Sequence, residues 1–136
     1  MDKVLIDANV LLRYLLDDNE DMALTAEHII DGGAWTTPEC IAEVTYVLEK
    51  YYGLSRHDIS WALGIIDIKV EIRPRDIAGR AIKEYEETNL DFVDCMLVAY
   101  AAAGNERVYT FDKGIRKRIS ALRHPETNGE SVKENI

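Results

Sequence analysis

Four acidic residues lie in segments that carry no other charged side chain: Asp7 in VLIDANVLL, Glu43 in CIAEVTYVL, Asp94 in FVDCMLVAYAAAGN, and Asp112 directly after VYTF. An ionised carboxylate in apolar surroundings is unfavourable unless it is paired or binds a cation. Four such residues in one small chain indicate that their side chains meet and share a hard metal ion. The chemistry this indicates is a metal-dependent reaction on a phosphate.

The ligand types favour magnesium or manganese over zinc. Carboxylates supply oxygen ligands, whereas zinc prefers nitrogen and sulfur. His28, His57 and His124 flank none of the four acidic residues and are expected at the surface. Two unit charges 4 Å apart interact by about 4 kcal/mol at an effective dielectric of about 20, so clustered carboxylates repel unless a cation neutralises them. The sequence shows no Ser-His-Asp or Cys-His arrangement that would offer another route.

Other polar residues near these positions have both a functional and a structural interpretation. Asn9 either hydrogen-bonds a metal-bound water or caps a helix, and Thr110 either assists the site or reflects β-propensity. Asp91, three residues before Asp94, fits a helix N-cap better than a ligand. Ser55, with Asp58 three residues later, resembles the capping box that begins a helix. Glu39 suits the first turn of a helix and is left out of the site.

A basic cluster follows Asp112 and is a candidate for contacts with flanking phosphates of a nucleic acid strand. The equally weighted alternative is a solvated helix face. The cluster consists of Lys113, Arg116, Lys117 and Arg118, with Arg123 beyond it.

Length and composition indicate one globular domain. The chain has 136 residues, of which 47% are hydrophobic and 30% charged, with a net charge of −9. We expect the domain over residues 1–123 and a polar, flexible tail over residues 124–136. No apolar run approaches the roughly 20 residues of a membrane span and no signal-peptide pattern is present, so a cytoplasmic location is expected. The acidic charge argues against broad, non-specific nucleic-acid binding, and the free cysteines, Cys40 and Cys95, are expected to be small buried side chains.

The pattern along the chain alternates between short apolar strands and amphipathic helices, which predicts a parallel sheet with helices on both faces. Asp7 and Asp112 fall where strands end, at the edge of such a sheet where ligands bind. The predicted strands are 3–7, which we expect to be buried, 34–36, 70–72 and 107–111. The predicted helices are 8–16, 20–30, 38–52, 56–66, 74–88, 91–103 and 114–120.

Four segments, VLIDANVLLRYLL, PECIAEVTYVLEK, LDFVDCMLVAYAA and VYTFDKGI, resemble the PIN-domain family in content, order and spacing. They look most like the toxin nucleases of VapBC toxin–antitoxin pairs, and the resemblance extends to about Leu122. It implies a three-layer α/β/α fold with a small, mainly parallel sheet of about four or five strands. Many members have Thr or Ser where this chain has Ala8.

The resemblance also implies a function. Asp7, Glu43, Asp94 and Asp112 match the family's catalytic and metal-binding acidic residues, and Asn9 and Thr110 match its accessory polar residues. The implied activity is that of an endoribonuclease dependent on Mg²⁺ or Mn²⁺. Toxins of this group commonly form homodimers, and a cognate antitoxin inhibits them with a segment placed in the active-site groove.

Two other functions remain open at this point. One is a non-catalytic PIN-like module that binds RNA or a protein, because fold alone does not determine function. The other is a phosphatase or phospho-receiver with Asp7 as nucleophile. The neighbours of Asp7 are Ala8 and Asn9 rather than a second acidic residue, which makes the latter the weaker alternative.

Overall fold

The structure is a computed structural model that describes residues 2–124. In this part of the chain, three strands are interleaved with seven helices. The strands are β1 (Val4–Leu5), β2 (Ala34–Thr36) and β3 (Glu71–Ile72). The helices are α1 (Ala8–Leu16), α2 (Glu20–Asp31), α3 (Pro38–Lys50), α4 (Arg56–Lys69), α5 (Arg75–Glu87), α6 (Phe92–Ala102) and α7 (Lys113–Arg123).

The strands form one parallel sheet in the order β1-β2-β3. Val4 of β1 lies opposite Ala34 of β2, and Trp35 of β2 lies opposite Glu71 of β3. Parallel neighbours require long crossover connections, which here are the helix pairs α1–α2 and α3–α4. The predicted α/β class is therefore confirmed, as a three-layer α/β/α arrangement around a small parallel sheet.

The sheet has fewer strands than the four or five that the sequence predicted, because residues 107–111 form no strand in the described structure. The chain leaves α6 through a turn in which the N–H of Glu106 donates to the carbonyl of Tyr100. The guanidinium of Arg123 then donates to the carbonyls of Glu106 and Ala101. These contacts attach the start of the segment to α6 and α7.

As a consequence, β1 lies at an edge of the sheet. The sequence predicted a buried first strand, which is wrong for its two paired residues: Val4 and Leu5 are 56% and 54% exposed. A strand with one unpaired edge has fewer neighbours to cover its side chains. The next residue, Ile6, is buried, so the chain enters the core just before Asp7.

Buried apolar side chains form two groups. The larger group lies between the sheet and helices α1 to α6, and it includes the fully buried Leu11, Ile41 and Leu63. The smaller group lies between α6 and α7 and consists of Val98, Ala101, Ile115 and Ile119. Because full burial of a large aliphatic side chain contributes about 1.5–3 kcal/mol, this small group is enough to hold α7 on α6.

Short polar side chains begin six of the seven helices in the described region. Each accepts a hydrogen bond from a backbone N–H of the first turn, which would otherwise lack a partner. The predicted caps at Ser55 and Asp91 are confirmed, and the cap of α1 is Asp7 rather than Asn9. The complete set is Asp7, Asn19, Thr37, Ser55, Asp91 and Asp112.

Three further expectations concern the tail, the membrane and the cysteines. The predicted tail, residues 124–136, lies outside the described residues apart from His124. Between residues 2 and 124, no helix combines the length and the apolarity that a bilayer crossing requires. Both cysteines are free thiols, with Cys95 buried and Cys40 half-buried.

An ion-pair cluster links the two edges of the sheet. Lys3, just before β1, reaches across β2 to Glu71 of β3, with 2.9 Å between Nζ and Oε1. Arg73 binds the other oxygen of Glu71 at 2.9 Å. The Lys3 side chain passes beside Gly33, whose φ of +106° is a conformation that residues with a Cβ rarely adopt. The hydrogen bonds that Lys3 and Arg73 donate to Glu71, with a smaller effect of their positive charges, lower the pKa of Glu71 from 4.5 to about 2.

The Glu71 cluster predicts a pH-dependent contribution to stability. A carboxyl group whose pKa is lower in the folded protein stabilises the fold above its unfolded pKa, and this effect is lost as the pH falls through the folded value. We expect Glu71→Gln to lower the free energy of unfolding at pH 7 and to make little difference once the pH is below 2, with most of the change between pH 4.5 and 2. Urea titrations across this range measure it, with the exposed Glu86→Gln as control. A destabilisation of equal size at every pH would contradict the prediction.

Candidate functional site

Three of the four predicted acidic residues lie at helix N-termini. Asp7 caps α1, with its Oδ1 3.1 Å from the N–H nitrogen of Val10, and Asp112 caps α7, with its Oδ1 2.9 Å from that of Ile115. Asp94 lies in the first turn of α6. The positive end of the helix dipole stabilises a negative charge at such positions. Each carboxylate is thus placed by local structure.

The fourth acidic residue, Glu43, lies in the second turn of α3 and is exposed. Its side chain makes no hydrogen bond or ion pair with any other residue between 2 and 124. The helices that carry or follow the four acidic residues pack against one another: α1 packs on α3, α3 on α6 and α6 on α7. The fold therefore brings the four supporting elements together.

Negative charge is concentrated where α6 and α7 begin. The pKa of Asp94 is raised, first by burial and then by the negative charges of Asp91 and Asp112. Asp91 is also held to Asp94, because its Oδ1 accepts the Asp94 N–H at 3.2 Å. Asp91 therefore caps α6 as predicted, and in addition it contributes to the local negative potential. The three-residue spacing of Asp91 and Asp94 was the sequence signal for this second effect.

The charge of Asp112 acts on Asp94, which relates these two of the four acidic residues to each other. Within residues 2–124, no three His, Cys, Asp or Glu side chains lie close enough together to hold one metal ion. The gathering of all four carboxylates around one ion stays a prediction. Mg²⁺ in phosphate-processing sites is commonly held by one or two carboxylates together with waters and substrate oxygens. The oxygen donors and crowded negative charge of Asp94 and Asp112 fit Mg²⁺ or Mn²⁺ in that respect.

Two threonines support the backbone next to these acidic residues. The hydroxyl of Thr36, fully buried at the end of β2, donates to the carbonyl of Ile6 at 2.8 Å and fixes the peptide before Asp7. The hydroxyl of Thr110 accepts the N–H of Asp112 at 3.1 Å. Thr110 therefore orients the start of α7 and is not part of a strand. Thr36 was missed because a threonine in a short strand is ordinary β-propensity.

The remaining accessory candidate, Asn9, is exposed in the first turn of α1. It lies at the edge of a cavity of about 240 Å³ between α1 and α2, whose other lining residues include Arg13, Asp21 and Met22. Asn9 is thus accessible to a ligand approaching the N-terminus of α1. Among residues 2–124, the Asn9 side chain forms no hydrogen bond with a carboxylate of the predicted site.

A buried carboxylate attaches α7 to α5. Glu84 is 0% exposed, and it accepts hydrogen bonds from Arg80 on its own helix and from Arg118 on α7. Arg118 also binds Glu87 at 2.8 Å. We call these four residues the Glu84 network. The sequence did not reveal it, because Glu84 lies in a run of charged residues that is typical of an exposed helix face.

The Glu84 network changes the interpretation of the basic cluster. Both carboxylates neutralise Arg118, and only 25% of its side chain is exposed, so we remove it from the candidate phosphate contacts. Lys113 and Lys117 are exposed and Arg116 is half-buried. None of these three forms an ion pair with another residue of the described region. They remain candidates for binding phosphates.

Comparison with known protein families decides the classification. A family model of the PIN domain matches residues 4–119. The chain belongs to the PIN-domain family. The matched region contains all four predicted acidic residues, the sheet and most of α7. Members of this family are generally metal-dependent nucleases. No curated protein and no solved structure matches the chain.

The Glu84 network predicts an asymmetric response to mutation. Removing one partner of a buried ion pair leaves an uncompensated charge, so we expect Glu84→Ala to lower the free energy of unfolding by about 3 kcal/mol. Glu87→Ala removes a carboxylate that is 41% exposed and binds the same arginine, and it should cost less than about 1 kcal/mol. Denaturant unfolding at pH 7 measures both. Equal effects of the two variants would contradict the assignment of Glu84 as the buried partner.

Proposed function

We propose that this PIN domain is an endoribonuclease that depends on Mg²⁺ or Mn²⁺ and hydrolyses RNA phosphodiester bonds. Its catalytic and metal-binding residues are Asp7, Glu43, Asp94 and Asp112. The observation that carries the proposal is the unneutralised negative charge around Asp94, which burial and the carboxylates of Asp91 and Asp112 make unfavourable. A divalent cation offsets such crowding directly.

The proposed site residues have different roles in binding the cation and in supporting the reaction. Asp94 and Asp112 would supply oxygen ligands, and Asp7 and Glu43 would complete the set as the substrate binds. When bound, the cation lowers the pKa of a water molecule and stabilises charge on the phosphate. Asn9 is accessible for a hydrogen bond to this water. The Thr110 hydroxyl holds the backbone of Asp112 in place.

Binding of the RNA backbone is assigned to α7. Lys113 lies next to Asp112, and Arg116 and Lys117 follow within about one helical turn. Phosphate contacts from such side chains position a nucleic acid without reading its sequence. In a chain with a net charge of −9, a local basic strip confines binding to this side of the domain instead of distributing it over the surface.

We further propose that the protein is the toxin of a toxin–antitoxin pair, acts in the cytoplasm and forms a homodimer. This finer assignment rests on the likeness of its four motif segments to VapC-type toxins. A cognate antitoxin with a basic segment would suit the acidic residues of the proposed site, and an arginine can pair with a carboxylate through two hydrogen bonds. The net charge of −9 is compatible with such a partner.

Substitution of the central carboxylates tests the hydrolase. We expect Asp94→Asn and Asp112→Asn each to reduce RNA cleavage in Mg²⁺ or Mn²⁺ by at least about a hundredfold, since metal-assisted charge stabilisation contributes several kcal/mol. Asparagine is also a good N-cap, so α7 should stay folded in Asp112→Asn. Cleavage of labelled RNA is measured alongside circular dichroism, with the exposed Asp67→Asn as the matched loss of one charge. Wild-type cleavage by either site variant would refute the catalytic assignment.

The metal requirement separates the enzyme from the alternative function. Wild-type protein should lose cleavage with a chelator and regain it when Mg²⁺ or Mn²⁺ is added in excess. RNA binding without cleavage under any metal condition would favour the non-catalytic PIN-like module.

For the toxin assignment, expression of the wild type should arrest growth of a host cell, whereas Asp94→Asn should not.

A further inference from the structure

Two aromatic side chains lie exposed directly before the candidate site. Tyr109 and Phe111 are 84% and 81% exposed. Their rings contact each other edge to face, with centroids 5.4 Å apart and an angle of 73° between the planes. The chain has two phenylalanines, and the other, Phe92, is 1% exposed. Leaving a phenylalanine in water forgoes the favourable burial of a large apolar side chain, so its exposure here requires an explanation.

The pair belongs to a segment in which exposure alternates. Arg107, Tyr109 and Phe111 are exposed and alternate with the half-buried Val108 and Thr110, and the exposed Asp112 and Lys113 follow. We call Arg107, Tyr109, Phe111 and Lys113 the aromatic strip. Lys113 is the first residue of α7, so the strip ends at the start of that helix. It adjoins Asp112, whose N–H donates to the Thr110 hydroxyl. Two exposed aromatic rings, with Arg107 before them and Lys113 after them in the chain, therefore lie directly before a predicted catalytic carboxylate, Asp112.

We propose that Tyr109 and Phe111 form a nucleobase-binding surface, on which unpaired bases adjacent to the scissile phosphate stack. Every base has a flat π-face, and stacking on aromatic side chains contributes strongly to the binding of single strands. The edge-to-face contact occupies one edge and one face, which leaves ring surface available to a base. Arg107 and Lys113, exposed before and after the two aromatic residues in the chain, carry charges that attract the flanking phosphates. The proposal rests on the nuclease function for its position beside Asp112, but it concerns a separate contact.

The charges favour RNA over a protein as the occupant. The strip carries two cations and adjoins Arg116 and Lys117, which a polyanion binds favourably. A protein partner of a chain with a net charge of −9 is expected to be basic, and these side chains would repel it. Bases within a duplex are already stacked and cannot present their faces. The surface therefore selects single-stranded segments such as loops.

Binding experiments with chelator present, where no cleavage occurs, test the surface directly. The probe is a labelled, unstructured oligoribonucleotide, and the protein is the full chain. We expect Tyr109→Ala and Phe111→Ala each to weaken binding by about tenfold, as single stacking contacts do, while Tyr109→Trp and Phe111→Tyr keep it. Tyr51→Ala and Trp61→Ala, which remove other exposed rings on or next to α3 and α4, are the matched controls and should change binding less than about twofold.

An abasic oligonucleotide with the same backbone provides a second comparison. Wild-type protein should bind it about as weakly as the Tyr109→Ala/Phe111→Ala double variant binds the normal probe. Equal binding of both probes by the wild type would overturn the proposal. So would unchanged RNA binding in the double variant together with a loss of self-association in sedimentation, since the strip would then be an interface between two copies of this chain.

The outcomes for the surface and for the hydrolase are distinguishable. If the wild type cleaves RNA in Mg²⁺ while the double variant binds the probe normally, the nucleobase surface is refuted and the proposed function stands. If the aromatic substitutions weaken binding but the wild type never cleaves RNA, the surface stands and the hydrolase is refuted. Circular dichroism of each variant confirms that the fold persists.

Discussion

The crowding of negative charge at the N-termini of α6 and α7 is the constraint on which the rest of the structure depends. Burial and two neighbouring carboxylates disfavour the ionised form of Asp94. The two helices must nevertheless keep Asp94 and Asp112 near each other. The fold opposes the repulsion with contacts between other side chains, those of the apolar core between α6 and α7 and those of the Glu84 network.

The forces that hold α7 in place are of two kinds. Val98 of α6 and Ile119 of α7 belong to a small apolar core between the two helices. The Glu84 network adds a long-range ionic contact from α5 to Arg118. The apolar core can tolerate small shifts along the helix, whereas the planar guanidinium of Arg118 requires a defined orientation. Together they determine where the first turn of α7, and hence Asp112, is positioned relative to α6.

Local features were predictable because their causes lie within a few residues. The bounds of α1 and β2 agree with the sequence prediction, and the caps Ser55 and Asp91 were identified from the preference of short polar side chains for helix starts. The α/β class also followed from the alternation of apolar strands and amphipathic helices. The predicted strand over 107–111 failed because a strand exists through its partner, and the contacts of Arg123 attach the start of that segment elsewhere.

At the candidate site too, some features were predictable from the sequence and others only from the tertiary structure. The sequence by itself determined which carboxylates lie in or next to apolar segments, and it placed Asp7 directly before a helix and Asp94 in the first turn of another, since periodicity acts over a few residues. Only the tertiary structure decided that Asp91 and Asp112 act on Asp94, that Glu84 is buried against Arg118, and that Tyr109 and Phe111 stay in solvent. Electrostatic interaction and burial depend on distance in space, and pairs such as Glu84 and Arg118, 34 residues apart in sequence, meet only when the helices pack.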